Sequence, residues 1–249
     1  MATDLAAAPG LVRRAAAGAW HVPGGFAFLA RRPRSWPLAL LPAILCVGLL
    51  AGGFVAGLYV APTIEAALVR RLGTPQPEWL GIAVALALWF ATVGAGVLCG
   101  LAIALLLAAP VLDKLSRWVE AAARGQSPDA GTGLRWEVAQ SARSAVYFVS
   151  RIPAILLVGL IPLVGPVLSG LWAAHALAFQ NTDAALSRRG LDFAARRQWH
   201  RRYRAESLGL GLASLVCLVV PCAGFLLAPA LVTGGTLLVL ELTEPPAPV

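Results

Sequence analysis

Two long runs without a charged residue constrain this chain more than any other feature. Pro37–Val60 is one such run, and Trp79–Leu112 is longer still. As a helix, the first run would extend about 36 Å, which is enough to cross a hydrocarbon core of about 30 Å with some tilt. Trp36 and Tyr59 flank it, as aromatic residues commonly do at membrane interfaces. We therefore predict an all-α integral membrane protein with two long transmembrane helices.

The composition also favours a membrane protein over a soluble one. Of the 249 residues, 59% are hydrophobic and 13% are charged, whereas about a quarter of the residues of a soluble domain are charged. Several arginines precede the first apolar run, which is not the pattern of a cleavable signal peptide, so we expect that run to be retained. The four cysteines lie in apolar runs without metal-binding or redox spacing. We therefore predict no disulfide, no metal site and no cofactor.

Four further apolar runs are too short to cross the membrane as helices, because even the longest would extend only about 24 Å. They are Ile152–Ile161, Val167–Phe179, Leu208–Val220 and Phe225–Leu240. An uncharged break joins each pair, with Pro162 and Gly165 in the first and Pro221 and Gly224 in the second. A connection that lies in water normally carries polar residues. We therefore predict two partially inserted helical hairpins with these residues at their tips.

The depth of the hairpins leaves an alternative, in which all four arms are tilted helices that cross the membrane. In the hairpin interpretation, the tips must be buried against protein or must line a wet cavity, because bare backbone is costly in lipid. The tip sequences IPLVG (161–165) and VPCAG (220–224) resemble each other. Repeated broken helices of this kind frame the binding sites of many transporters.

The distribution of basic residues predicts the orientation. With two crossings and two hairpins, only the connection at 61–78 faces outward, and it carries Arg70 and Arg71. The other 18 of the 20 Lys and Arg residues then lie on the opposite side. The positive-inside rule makes that side cytoplasmic and places the N-terminus there. If all four hairpin arms crossed as well, the basic segments would still lie on the same side, so the rule does not decide the depth of the hairpins.

The remaining segments complete the predicted organisation. We expect a surface segment over 1–22, one membrane domain over 23–242 and a disordered tail over 243–249. Within the first of these, Leu5–Trp20 is predicted to form an amphipathic helix that ends at Pro23-Gly24-Gly25. A second amphipathic helix is predicted at Leu134–Ser150, and the basic block 188–204 is predicted to lie on the lipid surface rather than on nucleic acid.

Five segments, in order and spacing, resemble those of CysZ-type bacterial sulfate permeases and the related etoposide-induced-protein domain. They are GGFAFLARRPRSWPLALLP (24–42), AAPVLDKLSRWVE (108–120), LIPLVGP (160–166), FQNTDAALSRRGLDF (179–193) and PCAGFLLAPALVTGGTLL (221–238). The resemblance covers roughly 22–242. It implies an inner-membrane protein with two spanning helices and two partially inserted hairpins, able to dimerise and transporting sulfate for cysteine synthesis.

One departure from the family pattern concerns the anion site. CysZ-like permeases often carry an arginine pair directly before the first spanning helix, and those positions are Trp36 and Pro37 here. Arg31, Arg32 and Arg34 lie slightly earlier, and we predict that they bind an oxyanion at the start of the helix. The alternative role for these arginines is contact with anionic lipid head groups.

Three residues of the first hairpin complete the predicted anion site. His175 is the only ionisable residue within that hairpin, and such residues are functional candidates. Asn181 and Asp183 follow the second arm, where they would line a polar pathway. The alternatives are a neutral His175 bonded to a carbonyl, and an Asp183 that caps the following helix or pairs with Arg188 or Arg189.

Other polar residues are predicted to have structural roles. Asp113 is expected to cap a helix or to pair with Arg117, and His21 and His200 are expected to lie in surface segments.

Two functional hypotheses follow from these patterns. The sequence contains no paired-carboxylate site, nucleophile elbow, phosphate-binding loop or zinc-protease motif, so we predict that the protein is not an enzyme. The first hypothesis is a permease for an inorganic oxyanion, most simply sulfate. The second is a non-transporting membrane scaffold, or an envelope stress or bilayer-shaping protein, of the same fold.

Overall fold

The computed structural model of the protein describes residues 8–72, 78–125, 134–218 and 223–243. Within these residues the regular structure is entirely helical, which confirms the all-α prediction. A 3₁₀ turn at Pro33–Ser35 separates the first two helices. The helices are α1 (Ala8–Ala30), α2 (Trp36–Leu72), α3 (Glu78–Arg124), α4 (Leu134–Val149), α5 (Ile152–Gly159), α6 (Val164–Arg188), α7 (Phe193–Arg202), α8 (Arg204–Leu218) and α9 (Ala223–Thr243).

Four described stretches are long and apolar enough to cross a membrane, which supports a multi-pass membrane protein. They are Pro33–Ala67, Gly81–Gly100, Ala142–Gly159 and Leu226–Thr243. The first two correspond to the predicted crossings. The chain divides into two compact units, Met1–Ala39 with Leu112–Val249, and Leu40–Val111, and each is described by itself. The predicted domain limits at 23–242 remain a prediction.

The unit Leu40–Val111 consists of most of α2 and most of α3. The two helices approach each other through backbone atoms, because a Cβ at Gly53 would collide with the carbonyl oxygen of Gly96. Gly57 meets Val93 in the same way, so these two small residues allow close packing of the helices. A Cβ at Gly48 or Gly52 would meet open space, so these two glycines take no part in that contact.

Helix α2 continues beyond its predicted end. The sequence placed a polar connection at 61–78, but α2 runs through Pro62 to Leu72. Helix α3 agrees with its predicted extension to Arg124. Gly125 terminates it with a positive φ of 79°, and the Gly125 N–H donates to the Ala121 carbonyl at 2.8 Å.

The larger unit places α1 against α8 and α9, and α6 against the same two helices. Val22 of α1 lies in a buried cluster with Leu210 and Leu238. A second cluster joins Leu29 of α1 to Leu115 of α3. Helix α1 therefore forms part of the core of this unit.

The predicted break of the first helix at Pro23-Gly24-Gly25 is wrong, because α1 runs through it to Ala30. The reason is packing: a Cβ at Gly25 would collide with the Ala230 carbonyl oxygen of α9. The glycine allows close contact between two helices, and that tertiary packing outweighs its low helix propensity.

Helices α5 and α6 form the first predicted hairpin. Pro162 lies in the turn between them, where Leu163 has a φ of 66°. Gly165 is in the first turn of α6, and a Cβ there would stand 2.6 Å from the Val158 carbonyl oxygen. In the second hairpin, Pro221 lies outside the described residues, and Gly224 is in the first turn of α9. Helix α9 has 21 residues, which is longer than the predicted arm.

Candidate functional site

The arginines of the predicted anion site lie between α1 and α2. Arg31 and Arg34 are exposed, and within the described residues neither side chain forms a hydrogen bond or an ion pair. The guanidinium of Arg32 lies over the ring of Phe28, 3.8 Å from its centre, which restrains that side chain. Two of the three cations are therefore open to an anion that approaches this connection.

Local hydrogen bonds hold this connection in a compact turn. The Ser35 hydroxyl, which is buried, donates to the Arg32 carbonyl at 2.7 Å, and the Ser35 N–H donates to the same oxygen at 2.9 Å. The indole N–H of Trp36 donates to the Leu29 carbonyl at 3.2 Å. The start of α2 is thus fixed beside the arginines, with the Trp36 N–H bonded to the Pro33 carbonyl oxygen and no N–H on Pro37.

His175 lies in a group of aromatic side chains on one side of α6. It is half-buried, with ring centres of Trp172 at 6.0 Å and Phe148 at 6.3 Å. The ring of His200 on α7 is 5.9 Å away. His175 therefore lies beside His200, whose polar contacts are described next.

His200 is buried, so the prediction that it lies in a surface segment is wrong. Its Nε2 lies 3.1 Å from the hydroxyl of Thr182 on α6, and its Nδ1 lies 3.0 Å from that of Ser207 on α8. Burial, and then the neighbouring His175, lowers the pKa of His200 to about 3. A neutral imidazole with one donor and one acceptor nitrogen suits two hydroxyl partners. His200 thus joins three helices without a charge.

Asn181 and Asp183 both take partners from other helices. The Asn181 side-chain amide donates to the Ser214 hydroxyl of α8 at 3.0 Å in the buried interior. Asp183 forms an ion pair with Arg196 of α7. Its predicted cap or pair with Arg188 or Arg189 is wrong, since α6 continues through residue 183 and turns it toward α7. Burial raises the pKa of Asp183, and Arg196 opposes that change.

A buried ion-pair network was not predicted from the sequence. The Arg188 side chain is 2% exposed and donates to Asp113, Ser116 and Glu120 of α3. The Arg188 distances are 2.7 Å to Asp113 Oδ1 and 2.7 Å to Ser116 Oγ. Glu120 is fully buried and also accepts from Arg189 at 2.8 Å.

Two further contacts complete this network. Ser116 and Thr236 of α9 lie with their hydroxyls 2.7 Å apart, so the network joins three helices. The predicted pair of Asp113 with Arg117 is confirmed, at 2.9 Å. The sequence signal was the 3- and 4-residue spacing of Asp113, Ser116 and Glu120, which places all three on one face of a helix.

The contacts of the described residues connect none of Arg31, Arg32 and Arg34 to the α6 residues His175, Asn181 and Asp183. The first three line an exposed connection, and the last three take part in aromatic, amide and ion-pair contacts among α6, α7 and α8. The role of all six in anion binding stays a prediction. In the described part of the chain, no group of three or more His, Cys, Asp or Glu residues could hold a metal ion.

The chain is similar to a known protein family and to a named bacterial protein. The model of the family described as Sulfate transporter CysZ/Etoposide-induced protein 2.4 matches residues 22–229. A protein of Pseudomonas fluorescens named "Sulfate transporter CysZ" is 29% identical over 142 residues. That alignment covers 53% of this chain and 57% of the relative, so the chain spans little more than half of the relative's length.

Proposed function

Because the chain belongs to the Sulfate transporter CysZ/Etoposide-induced protein 2.4 family, we propose that it moves an inorganic oxyanion, sulfate, across a bacterial inner membrane. The observation that carries this proposal is the family match over residues 22–229. The relative named for sulfate transport supports the substrate. The family is one of transporters rather than of enzymes.

The proposed entry point for the anion is the connection of Arg31, Arg32 and Arg34. Two of these guanidinium groups are exposed and without an acidic partner among the described residues, so a tetrahedral oxyanion would gain charge-assisted hydrogen bonds there. The start of α2 adds little, because the Trp36 N–H donates to the Pro33 carbonyl oxygen and Pro37 has no N–H. His175, Asn181 and Asp183 are proposed to lie further along the anion's route.

The proposed membrane disposition has α2 and α3 as full crossings and the N-terminus in the cytoplasm. A turn at 150–151 divides the apolar stretch Ala142–Gly159 between α4 and α5, and α5 with its eight residues extends only about 12 Å. This supports a first hairpin that enters only one leaflet. None of the α5 residues is buried by protein, as expected of a helix that contacts lipid. Helix α9 is long enough to cross, but 61% of its apolar stretch is buried inside the protein. For the second hairpin we propose partial insertion against protein.

Sulfate flux into liposomes tests the function. The purified chain is reconstituted, and uptake of radiolabelled sulfate is compared with uptake by empty liposomes. We expect saturable uptake that unlabelled sulfate inhibits. Uptake no faster than in empty liposomes would contradict the transport proposal and favour the membrane scaffold. The particle mass of the purified protein in detergent would show in addition whether the proposed homodimer forms.

A matched pair of triple variants tests the entry point. Arg31, Arg32 and Arg34 are changed to Gln in one, and the exposed Arg201, Arg202 and Arg204 in the other. Both variants lose three positive charges. We expect the first to lose at least about tenfold in uptake, and the second to keep at least about half of the wild-type rate, because only the first removes charge-assisted hydrogen bonds to the anion. Equal losses would show that surface charge alone attracts the anion.

A further inference from the structure

Two arginines share one aromatic ring at the base of the first hairpin. The guanidinium of Arg151, in the turn between α4 and α5, lies 3.7 Å from the centre of the Tyr147 ring. The guanidinium of Arg197, on α7, lies 4.7 Å from the same centre. Arg151 also donates to the Tyr147 carbonyl at 2.8 Å. Two segments that are distant in the sequence therefore hold two positive charges at one place.

Neither of these two cations has a carboxylate partner among the described residues. In the described part of the chain, Arg151 and Arg197 form no ion pair with a carboxylate, whereas Arg188, Arg189 and Arg196 all do. Two like charges around one ring repel each other, and an anion between them would remove that repulsion. Both side chains are only half-buried, so an anion from outside can approach.

An apolar groove extends from Arg151 toward the tip of the hairpin. Its volume is about 270 Å³. Apart from Arg151, its walls come from α5 and α6 and consist of Ala154, Ile155, Val158, Leu168, Ser169 and Trp172. The groove follows α5, whose eight residues extend about 12 Å. One leaflet contributes about half of the 30 Å hydrocarbon core, so the groove has the reach of an acyl chain.

We propose that this place binds one anionic phospholipid. Its phosphate lies between Arg151 and Arg197, and one of its acyl chains lies in the groove between α5 and α6. Tyr147 and Trp172 then lie at the level of the head group, where aromatic side chains are enriched in membrane proteins. Charge selects the head group, and the groove selects a lipid over a soluble anion. The proposal does not depend on sulfate transport.

Lipid titration followed by native mass spectrometry tests the site. The purified full chain in detergent is titrated with phosphatidylglycerol and, separately, with phosphatidylcholine. We expect one saturable site for phosphatidylglycerol, which binds this lipid more tightly than phosphatidylcholine. Arg151→Gln and Arg197→Gln should each weaken it about fivefold, and the double variant about 25-fold. Arg201→Gln with Arg202→Gln, which removes as much charge, should change it less than twofold. Equal affinity for the two lipids, or a double variant that matches this control, would overturn the proposal.

A groove variant separates a lipid from a soluble anion. Val158→Trp fills the groove from its α5 side and should weaken phosphatidylglycerol at least about tenfold, with an unchanged elution profile and helix content. Glycerol phosphate and sulfate, which have no acyl chain, should fail to displace the bound lipid. Displacement by either at the lipid's own concentration, or full binding by Val158→Trp, would show that the arginines hold a soluble anion instead.

Discussion

Helices α2 and α3 meet between Leu40 and Val111 through glycine backbone, whereas the larger unit combines glycine contacts of the same kind with buried charges. In the first unit, large side chains such as Phe90 and Tyr59 are 79% and 78% exposed. In the larger unit, Glu120 and Arg196 are 0% and 1% exposed. A helix pair surrounded by lipid needs no polar core, because lipid solvates its apolar exterior and close backbone contact holds it together. The larger unit must satisfy its polar groups internally.

The largest expected effect comes from breaking the buried network of the larger unit. Glu120→Gln keeps the shape of the side chain but leaves Arg188 and Arg189 without their shared carboxylate. We expect the free energy of unfolding to fall by about 3–5 kcal/mol, because an uncompensated buried charge remains. Denaturant titration in detergent micelles measures it.

The control for this substitution is Lys114→Gln, an exposed change on the same helix. It should change the free energy of unfolding by less than about 0.5 kcal/mol. A loss below about 1 kcal/mol for Glu120→Gln would mean that the network contributes little to the stability of the larger unit.

A smaller effect is expected from the glycine contact of α2 with α3. Gly53→Ala adds a methyl group against the Gly96 carbonyl, and overpacking of this kind costs about 1–3 kcal/mol. The neighbouring Gly52→Ala is the control, since its Cβ would meet open space. We expect the control to be neutral or slightly stabilising in the same titration. If the two variants behave alike, the helices do not rely on close backbone contact.

The smallest effect is a pH dependence in the larger unit. The folded protein holds the pKa of His200 near 3, below its ordinary value of 6.5. Between these values the unfolded chain binds the additional proton, so stability falls as the pH falls below about 6.5. One proton gives a slope of at most about 1.4 kcal/mol per pH unit. The raised pKa of Asp183 acts in the opposite direction at the acid end.

Thermal unfolding in detergent between pH 7 and pH 5 measures this slope. His200→Gln keeps hydrogen-bonding capacity toward Thr182 and Ser207 but removes the titrating group. We expect it to be less stable at pH 7 and to show a shallower decline than the wild type. Parallel declines for the two proteins would assign the pH dependence to another group.

The two long helices could be predicted because a long uncharged run has few stable structures other than a helix that crosses a membrane. Their ends could not, since α2 crosses Pro62 and reaches Leu72 after the apolar run has ended. Likewise, the Pro23-Gly24-Gly25 sequence indicated a break, but packing of α1 against α9 keeps the helix continuous. Local sequence describes propensity, and these ends depend on contacts with distant segments.

The polar contacts were harder to predict than the helices. The spacing of Asp113, Ser116 and Glu120 places them on one face of α3, yet nothing local indicates that Arg188 meets them. His200 lies in a strongly basic segment, and only the packing of α7 against α6 and α8 buries it. The exposed arginines between α1 and α2 were identified because they lie just before the first long apolar run, and their role in anion binding stays a prediction.

The Arg188 network has a consequence for how the chain is made. Arg188 lies 75 residues after Asp113 and 68 after Glu120. At a synthesis rate of about 5–20 residues per second, Arg188 is made about 3–15 s after the two carboxylates. The ribosome therefore completes α6 before the larger unit can close, and a chain truncated before Arg188 lacks the side chain that joins Asp113, Ser116 and Glu120 to α6.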